Sequence, residues 1–531
     1  MTRYIKLIAV MMSVALTTTS CGDFLNEYSQ DMVVAKTVYH LDEVLLGNGY
    51  IKSTIVESGP TIGNVAGFFN VLDDDVNTGS VGSETSKTWG NCLSNIFGCY
   101  AWQLRVGSNY NASNFSSDSY TWDNLYSRIN VANIILDEIV DMPHSTEADE
   151  ATYYRVLGET HFLRGYFFFT LANLYGDAYS PATASEKLCV PLKLTPYIEH
   201  DKNKDTQFKR ATVKEIYDQV VSDLTKAEEY LTRSPQNVSH KLHRASYESV
   251  ELLLSRVYLY MQEWALAEEK ADNVIKYPRV ALAGLSSFSN GAFLTRDNVE
   301  ILFSQGANYL SREDLFTARP GDFCVSRELR ELYDEKDLRA RCFFGVHSLS
   351  DSVTLTNKYE RGAIVSHISD VFTLRTAEAY LNKAEACAMQ PGKEQEACVY
   401  LNRLRANRIE SYEDCTYTGE ELVKQIRDER RKELCFEGHR WFDLRRYAVN
   451  ERYPYSKQII HSYHACGDAG ISYSQMFMLE ENDAAYTFAL PESVIQFDNV
   501  PMPDNVRKER LPMEVETVEP EVPTDPFQPQ S

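Results

Sequence analysis

The chain has 531 residues, 44% of them hydrophobic, and carries 53 basic against 76 acidic residues for a net charge of −23. That apolar share can build a substantial core and excludes global disorder. The acidity excludes nucleic acid as a partner, because phosphate binding needs a positive surface, and it excludes electrostatic docking to anionic lipid.

The first element is a targeting segment. Arg3 and Lys6 form a positive n-region, and Ile5 to Leu16 is a mostly apolar run too short to span a bilayer. Thr17-Thr18-Thr19-Ser20 and then Cys21 follow. The pattern resembles a bacterial lipoprotein signal, residues 1–20, cleaved so that the Cys21 thiol carries lipid; Thr18 stands where leucine is commoner. Ten cysteines remain and none forms a CxxC pair, so no zinc ribbon or thioredoxin motif is indicated. Cys92 with Cys99, and Cys387 with Cys398, are close enough in sequence to pair. A domain this large does not need disulfides, and most of the ten read as small buried hydrophobes.

From Cys21 to about Val56 the chain reads as an arm and a first helix. Residues 59–120 are rich in Gly, Ser, Asn and Thr with weak apolar periodicity, which predicts a long loop-rich insertion of the kind that carries function. Trp122 to Val140 then places Trp122, Leu125, Ile129, Ala132, Ile135 and Leu136 on one helical side, and Met142-Pro143 ends it. A strongly apolar helix is predicted over Ala151 to Tyr175, with Gly158 and Gly165 where another helix approaches and Gly176 as its C′ residue. Thr212 and Glu215 form a capping box opening a helix to about Leu231. Its partner begins near Arg244 and continues past Trp264, where small Ala265, Ala267 and Ala271 resemble tetratricopeptide packing positions. Residues 278–370 form a second loop-rich insertion. A further helical unit starts near Phe372, continues from Ala397 to Arg408, and is followed by a helix from Gly419.

Asp428 to Tyr447, DERRKELCFEGHRWFDLRRY, is the stretch on which these elements converge. Glu429, Glu433 and Glu437 at four-residue steps set three carboxylates on one helical face, and neighbouring arginines supply guanidinium forks to hold them. Catalysis by Glu437 or Asp443 gives way here to a structural charge network. No nucleophile elbow, P-loop or HExxH motif is present, and no GxGxxG joins a strand to a helix. Asn450 onward reads as irregular, and 501–531 as an extended or disordered tail.

The run from Glu429 to Arg446 resembles the C-terminal signature of the SusD/RagB family of outer-membrane nutrient-binding lipoproteins. Leu163 to Asp177 (LRGYFFFTLANLYGD), Gly22 to Leu25 and Phe488 to Pro491 resemble the same family. The resemblance implies one domain over 21–500: an all-α core of tetratricopeptide-like helix pairs carrying large loop-rich insertions that form the ligand surface. It implies no enzyme and no cofactor. It also implies a lipid-anchored protein of the outer membrane, facing the cell surface, that binds oligosaccharides and delivers them to a SusC-like TonB-dependent transporter. Peptide capture on the same fold and a repeat-type protein-interaction scaffold remain as alternatives.

Sugar binding needs flat aromatic faces flanked by amides and charged groups. Trp122, Trp264 and Trp441 lie among apolar helix neighbours and read as core. Trp89, Trp102 and Tyr100, with Tyr110 nearby, lie in the first insertion. Tyr309, Asn308 and Arg312 lie in the second, with Phe288, Phe293, Phe316 and Asn290. The expected ligand contacts are Trp89, Tyr100, Trp102, Asn308, Tyr309 and Arg312. Asp73, Asp75, Asn77 and Glu84 stand at calcium-loop positions, but Thr78 replaces the required glycine and a solvated acidic loop is the expectation. His461, His464 and Cys466 are read as structural rather than as metal ligands.

Overall fold

The structure, a computed structural model, describes residues 35–53, 62–78, 96–108, 117–197, 208–234, 241–288, 291–310, 323–347, 350–360, 368–466 and 472–518. The signal segment, Cys21, Trp89, Tyr110, Asn290, Arg312 and Phe316 lie outside them, as do Glu84 and Cys92.

Local capping sets the helix starts. Helix α1 spans Val38–Val44, α2 Tyr120–Glu138 and α3 Glu147–Tyr175. Thr146 caps α3 by accepting from the Asp149 N–H, and Glu147, Asp149 and Glu150 in its first turn favour the positive end of the dipole. From Val156 to its end α3 is buried on all sides, so it is the central rod of the molecule. Gly176 is not in the left-handed conformation expected of a C′ glycine: its φ is −105° and the chain leaves extended. What requires glycine there is space, since an added Cβ would lie 2.6 Å from Cys189 Sγ.

Helix α4, Val213–Arg233, opens with the expected Thr212–Glu215 capping box, both bonds present. Helix α5, Tyr247–Met261, opens with a second box, Ser246 with Ser249. Then follow α6 Trp264–Lys276, α7 Thr376–Ala388, α8 Glu394–Ala406, α9 Gly419–Leu434 and α10 Arg440–Ala448. Neighbours pack in series: α3 on α4, α5 on α6, α6 on α7, and α7 on both α8 and α9. Ala267 and Ala271 are buried at the α6 seam, Trp122 and Trp441 lie in the core, and Trp264 is half-buried between two core clusters. The protein is thus predominantly α-helical with inserted loop-rich segments, as expected.

Gly158 and Gly165 do mark a close helix approach. A Cβ on Gly158 would sit 2.6 Å from the Leu231 side chain and 3.2 Å from its backbone nitrogen, whereas one on Gly165 would meet Leu224 and Asp223 no closer than 3.2 Å. Gly158→Ala should therefore destabilise by about 1–3 kcal/mol through overpacking. Gly165→Ala should fall within about 1 kcal/mol of wild type, because the gain in helix propensity offsets the tighter contact. Paired urea titrations check the order of the two.

Three expectations change. Phe372–Arg375 is a strand, β8, antiparallel to β4 (Ile301–Gln305), rather than the start of a helix. Tertiary pairing overrides local propensity there and swings Arg375 into the core. The signature stretch is two helices, not one: α9 stops at Leu434, and a turn with Phe436 at φ +57° and Gly438 at φ +72° leads into α10. Ile459–Cys466 (β9) and Ser472–Leu479 (β10) form an antiparallel pair, and Glu514–Val518 (β11) adds to β10, so the chain end is ordered to 518 rather than a tail from 501. Eight of the described cysteines, Cys387 and Cys398 among them, are free, and six of the eight are buried, as expected of small hydrophobes. Among the described residues no helix is long and apolar enough to cross a membrane.

Candidate functional site at the meeting of the two insertions

The site is built outward from the charge network under the signature. Glu433 accepts from Arg375 (2.7 Å), Arg339 (2.9 Å) and Arg408 (2.9 Å). Glu429 pairs with Arg339 and Arg405, and Glu437 with Arg375 and Lys358. Glu300, just before β4, closes the ring onto Arg375 and Arg408. These carboxylates are fully buried. Burial pushes Glu433 up, but the guanidiniums of Arg408, Arg375 and Arg339 outweigh it and hold the carboxyl well below the usual range. Asp443 is likewise held by Arg430 and Arg446, both at 2.8 Å. The network is the structural one expected of these charges.

The first insertion is fastened to this platform by charge. Arg440 grips Asp74 (2.7 Å), Arg431 grips Asp75 (2.7 Å), and Lys457 reaches both Asp74 (2.7 Å) and Glu328 (2.6 Å). Burial raises the carboxyl of Asp74, yet Arg431, Arg440 and Lys457 bring it well below the ordinary range. Asp73 goes the other way: burial and the adjacent Asp75 and Asp74 hold it well above. The acidic run is therefore not the solvated loop expected. Its carboxylates could approach one metal ion, but guanidinium and ammonium groups already pair with Asp74 and Asp75. Asn77 is also committed, its Oδ1 accepting from the Tyr100 hydroxyl and the Ser462 N–H, both at 3.2 Å.

Above this lies an aromatic stack. The His461 ring is sandwiched between Tyr100 and Trp102, each centroid 4.3 Å away. Its Nδ1 faces the Tyr100 carbonyl and its Nε2 the Asp73 carbonyl, both at 2.8 Å. Burial draws its pKa down to about 4, so at neutral pH the ring donates from one nitrogen only. Each nitrogen faces a backbone carbonyl, to which one of them donates, and both ring faces are covered, which fits the structural role expected of His461. Trp102 donates Nε1–H to the Leu72 carbonyl at 2.8 Å while its own φ is +49°. Ala66, with φ +56°, lies in the same insertion. Left-handed backbone at non-glycine residues is strained, and such strain gathers at functional sites.

The second insertion closes against the first at one node. Asn70 Nδ2 donates to Asp370 Oδ2 (3.2 Å) and to its carbonyl (3.1 Å), and Asn70 Oδ1 accepts from Gly438 N–H (2.9 Å). Asp370 Oδ1 accepts from Tyr309 N–H at 3.1 Å, and the Tyr309 hydroxyl donates to the Val65 carbonyl at 3.3 Å. Asn308 spans the base of the loop, from the Ile368 carbonyl to the Leu310 N–H. A rung of sheet, β1 (Val76–Thr78) against β5 (Phe323–Val325), joins the two insertions beside it.

Tyr100 (0% exposed), Trp102 (2%), Asn308 (0%) and Tyr309 (4%) are therefore floor rather than face. The ligand-contacting role expected of them is corrected to a supporting one, because tertiary partners absorb both their rings and their polar atoms. Phe293 is buried and Phe288 half-buried in the same core. Trp89 and Arg312 lie outside the described residues. The residues that sequence reading missed are the clamps Asn70 and Asp370. Asp370 carried one signal, an acid placed between a loop and an apolar strand.

A frame of packed helices from which loops rise at one node is the architecture of a loop-bearing binding scaffold. Two family models match it: a SusD-like model described as starch-binding associating with outer membrane, over residues 64–259, and the SusD family, over 347–512. The chain belongs to the SusD/RagB family, whose members are outer-membrane-associated binding proteins rather than enzymes. It is 24% identical over 401 residues to the SusD-like protein P38 of Formosa agariphila, covering 63% of this chain and 74% of that one. Its fold is similar to the crystal structure of a SusD superfamily protein from Bacteroides thetaiotaomicron, with TM-score 0.66, 20% identity, and 89% of this chain and 100% of that one covered. A SusD-like carbohydrate binding protein from Bacteroides vulgatus gives TM-score 0.63, 18% identity and coverages of 88% and 99%.

Proposed function

We propose that this protein captures oligosaccharides at the cell surface, held to the outer membrane by lipid on Cys21, and passes them to a SusC-like TonB-dependent transporter. The observation that supports the reading is the Asn70–Asp370 clamp, which fastens the two insertions to each other and, through Gly438, to the helical frame. A preorganised base of this kind lowers the entropy lost when the insertions grip a ligand. The matched family description names starch, a neutral glucan, and a carbohydrate binder of similar fold supports the same ligand class. The carboxylates of the signature serve the frame and not acid–base chemistry, because each is saturated by cations.

Isothermal titration of soluble protein lacking residues 1–21 against a panel of oligosaccharides and peptides tests this. Saturable binding to at least one oligosaccharide is the expected result. Binding to peptides with none to any glycan would overturn it.

A further inference from the structure

A cavity of about 30 Å³ borders the Asn70–Asp370 clamp, and every part of the molecule contributes to its wall. Phe69 belongs to the first insertion and Val371 ends the second, each one residue away from a clamp residue. Gly438, whose N–H the clamp holds, and His439 come from the turn before α10, and Tyr260 comes from α5. Phe69, Val371, His439 and Tyr260 are all buried.

Two polar side chains of this wall are unmatched. His439 Nδ1 lies 3.3 Å from Arg430 Nη2, and a guanidinium can only donate, so Nδ1 is the acceptor. Burial, with Arg256 and Arg430 nearby, holds the His439 pKa well below its usual value. The neutral ring therefore carries its one proton on Nε2. Among the described residues nothing accepts from that Nε2–H, and nothing bonds to the Tyr260 hydroxyl. Neither atom is sealed in by packing, as the Trp441 Nε1 is. The other polar groups of the wall are satisfied. Asn173 donates to the Phe169 carbonyl (2.8 Å) and accepts from the Tyr217 hydroxyl (3.3 Å), and Thr170 donates to the Tyr166 carbonyl (2.9 Å).

A buried water needs roughly 10–15 Å³ of such space and two to four polar partners. The cavity thus has room for one or two. An imidazole N–H and a phenol left unpaired in the interior would each forfeit their hydration without return. Arg256 and Arg430 repel a metal ion, and Glu378, the carboxylate nearest Arg256, is taken by two bonds of 2.6 Å from that guanidinium. A sugar ring is far too large.

We propose that this cavity is a built water site, in which one or two ordered waters accept from His439 Nε2–H, join it to the Tyr260 hydroxyl, and seat both insertions on the helical frame. The insertions then rest on the frame through water as well as through the clamp, and the two devices stiffen one joint.

Tyr260→Phe tests the site by sign, because it removes the hydroxyl and leaves the ring. With water bound, the variant loses a hydrogen bond, and urea unfolding should show a folding constant lowered roughly three- to tenfold. In a dry cavity the same change sheds an unsatisfied polar group, and the constant stays level or rises. Hydrogen exchange at the Gly438 and Tyr309 N–H groups, which the clamp protects, should quicken in the variant more than exchange within α4. A high-resolution crystal structure of the soluble wild-type chain should place a water within hydrogen-bond distance of both His439 Nε2 and Tyr260 Oη, and it decides the matter even if the variant fails to fold. A cavity without water in that map, or a Tyr260→Phe protein as stable as wild type, overturns the water site. A less stable variant with unchanged exchange at Gly438 and Tyr309 overturns the seating role.

Discussion

Replacing Glu433 with alanine should be among the most damaging single changes to this protein. It strips the shared counter-ion from Arg339, Arg375 and Arg408, all of them fully buried. Removing one partner of a buried ion pair costs about 3–5 kcal/mol, since the remaining charge stays in a low-dielectric interior. With guanidiniums converging from three sides the loss should lie at the upper end of that range. Glu433→Gln keeps the shape and one acceptor but not the charge, and should recover only part of it. The exposed Glu421 is the control, and its alanine variant should stay within about 0.5 kcal/mol of wild type. Urea unfolding midpoints read all three, and a Glu433→Ala variant within 1 kcal/mol of wild type, by the same scale of about 0.5 kcal/mol for neutral sites, would refute the role assigned to the network. Because the folded pKa of Glu433 is depressed, its contribution is complete above the unfolded value of roughly 4.3 and declines as the pH falls below it.

Asp370 predicts the opposite slope. Burial lifts its carboxyl to about 7, against the pull of the Tyr309 and Asn70 donors. In an unfolded chain the same group titrates near 3.9. Between those values the folded protein holds a proton that the unfolded chain has released, so stability falls as pH rises from about 4 to about 7 and levels off above. The shift of about 3 units corresponds to roughly 4 kcal/mol over that window. Asp370→Asn cannot ionise and should lack this component. Wild type should therefore lose several kcal/mol of stability relative to the variant as pH rises through the window, on the scale of ~1.4 kcal/mol per pKa unit. Parallel curves would show that Asp370 is not protonated in the folded state at low pH. Other groups titrating in the same range appear in both proteins and cancel in the comparison.

What the sequence reveals depends on whether the information is local. The Thr212 capping box and the apolar stripe of α2 involve residues within a turn or two of one another, and the structure bears both out. Phe372–Arg375 does not behave as its neighbours suggest, because its partner is Ile301–Gln305, some seventy positions earlier by the register of β4 and β8. Gly, Ser, Asn and Thr content with weak apolar periodicity marks residues 59–120 as loop-rich. Composition does not distinguish a ring offered to solvent from a ring stacked on His461, since that depends on a strand far along the chain. It places the acidic run Asp73–Asp75 in water, whereas Arg431 and Arg440 place it inside.

The bonds from Arg431 to Asp75 and from Arg440 to Asp74 span 356 and 366 residues. A chain that emerges amino-terminus first therefore exposes its early acids long before their counter-charges exist. Contacts of such separation form late, after loop closure has been met by other interactions. Maturation of the ligand-bearing end must wait for the last third of the polypeptide. Until then the half-made molecule carries an unfinished, strongly anionic edge.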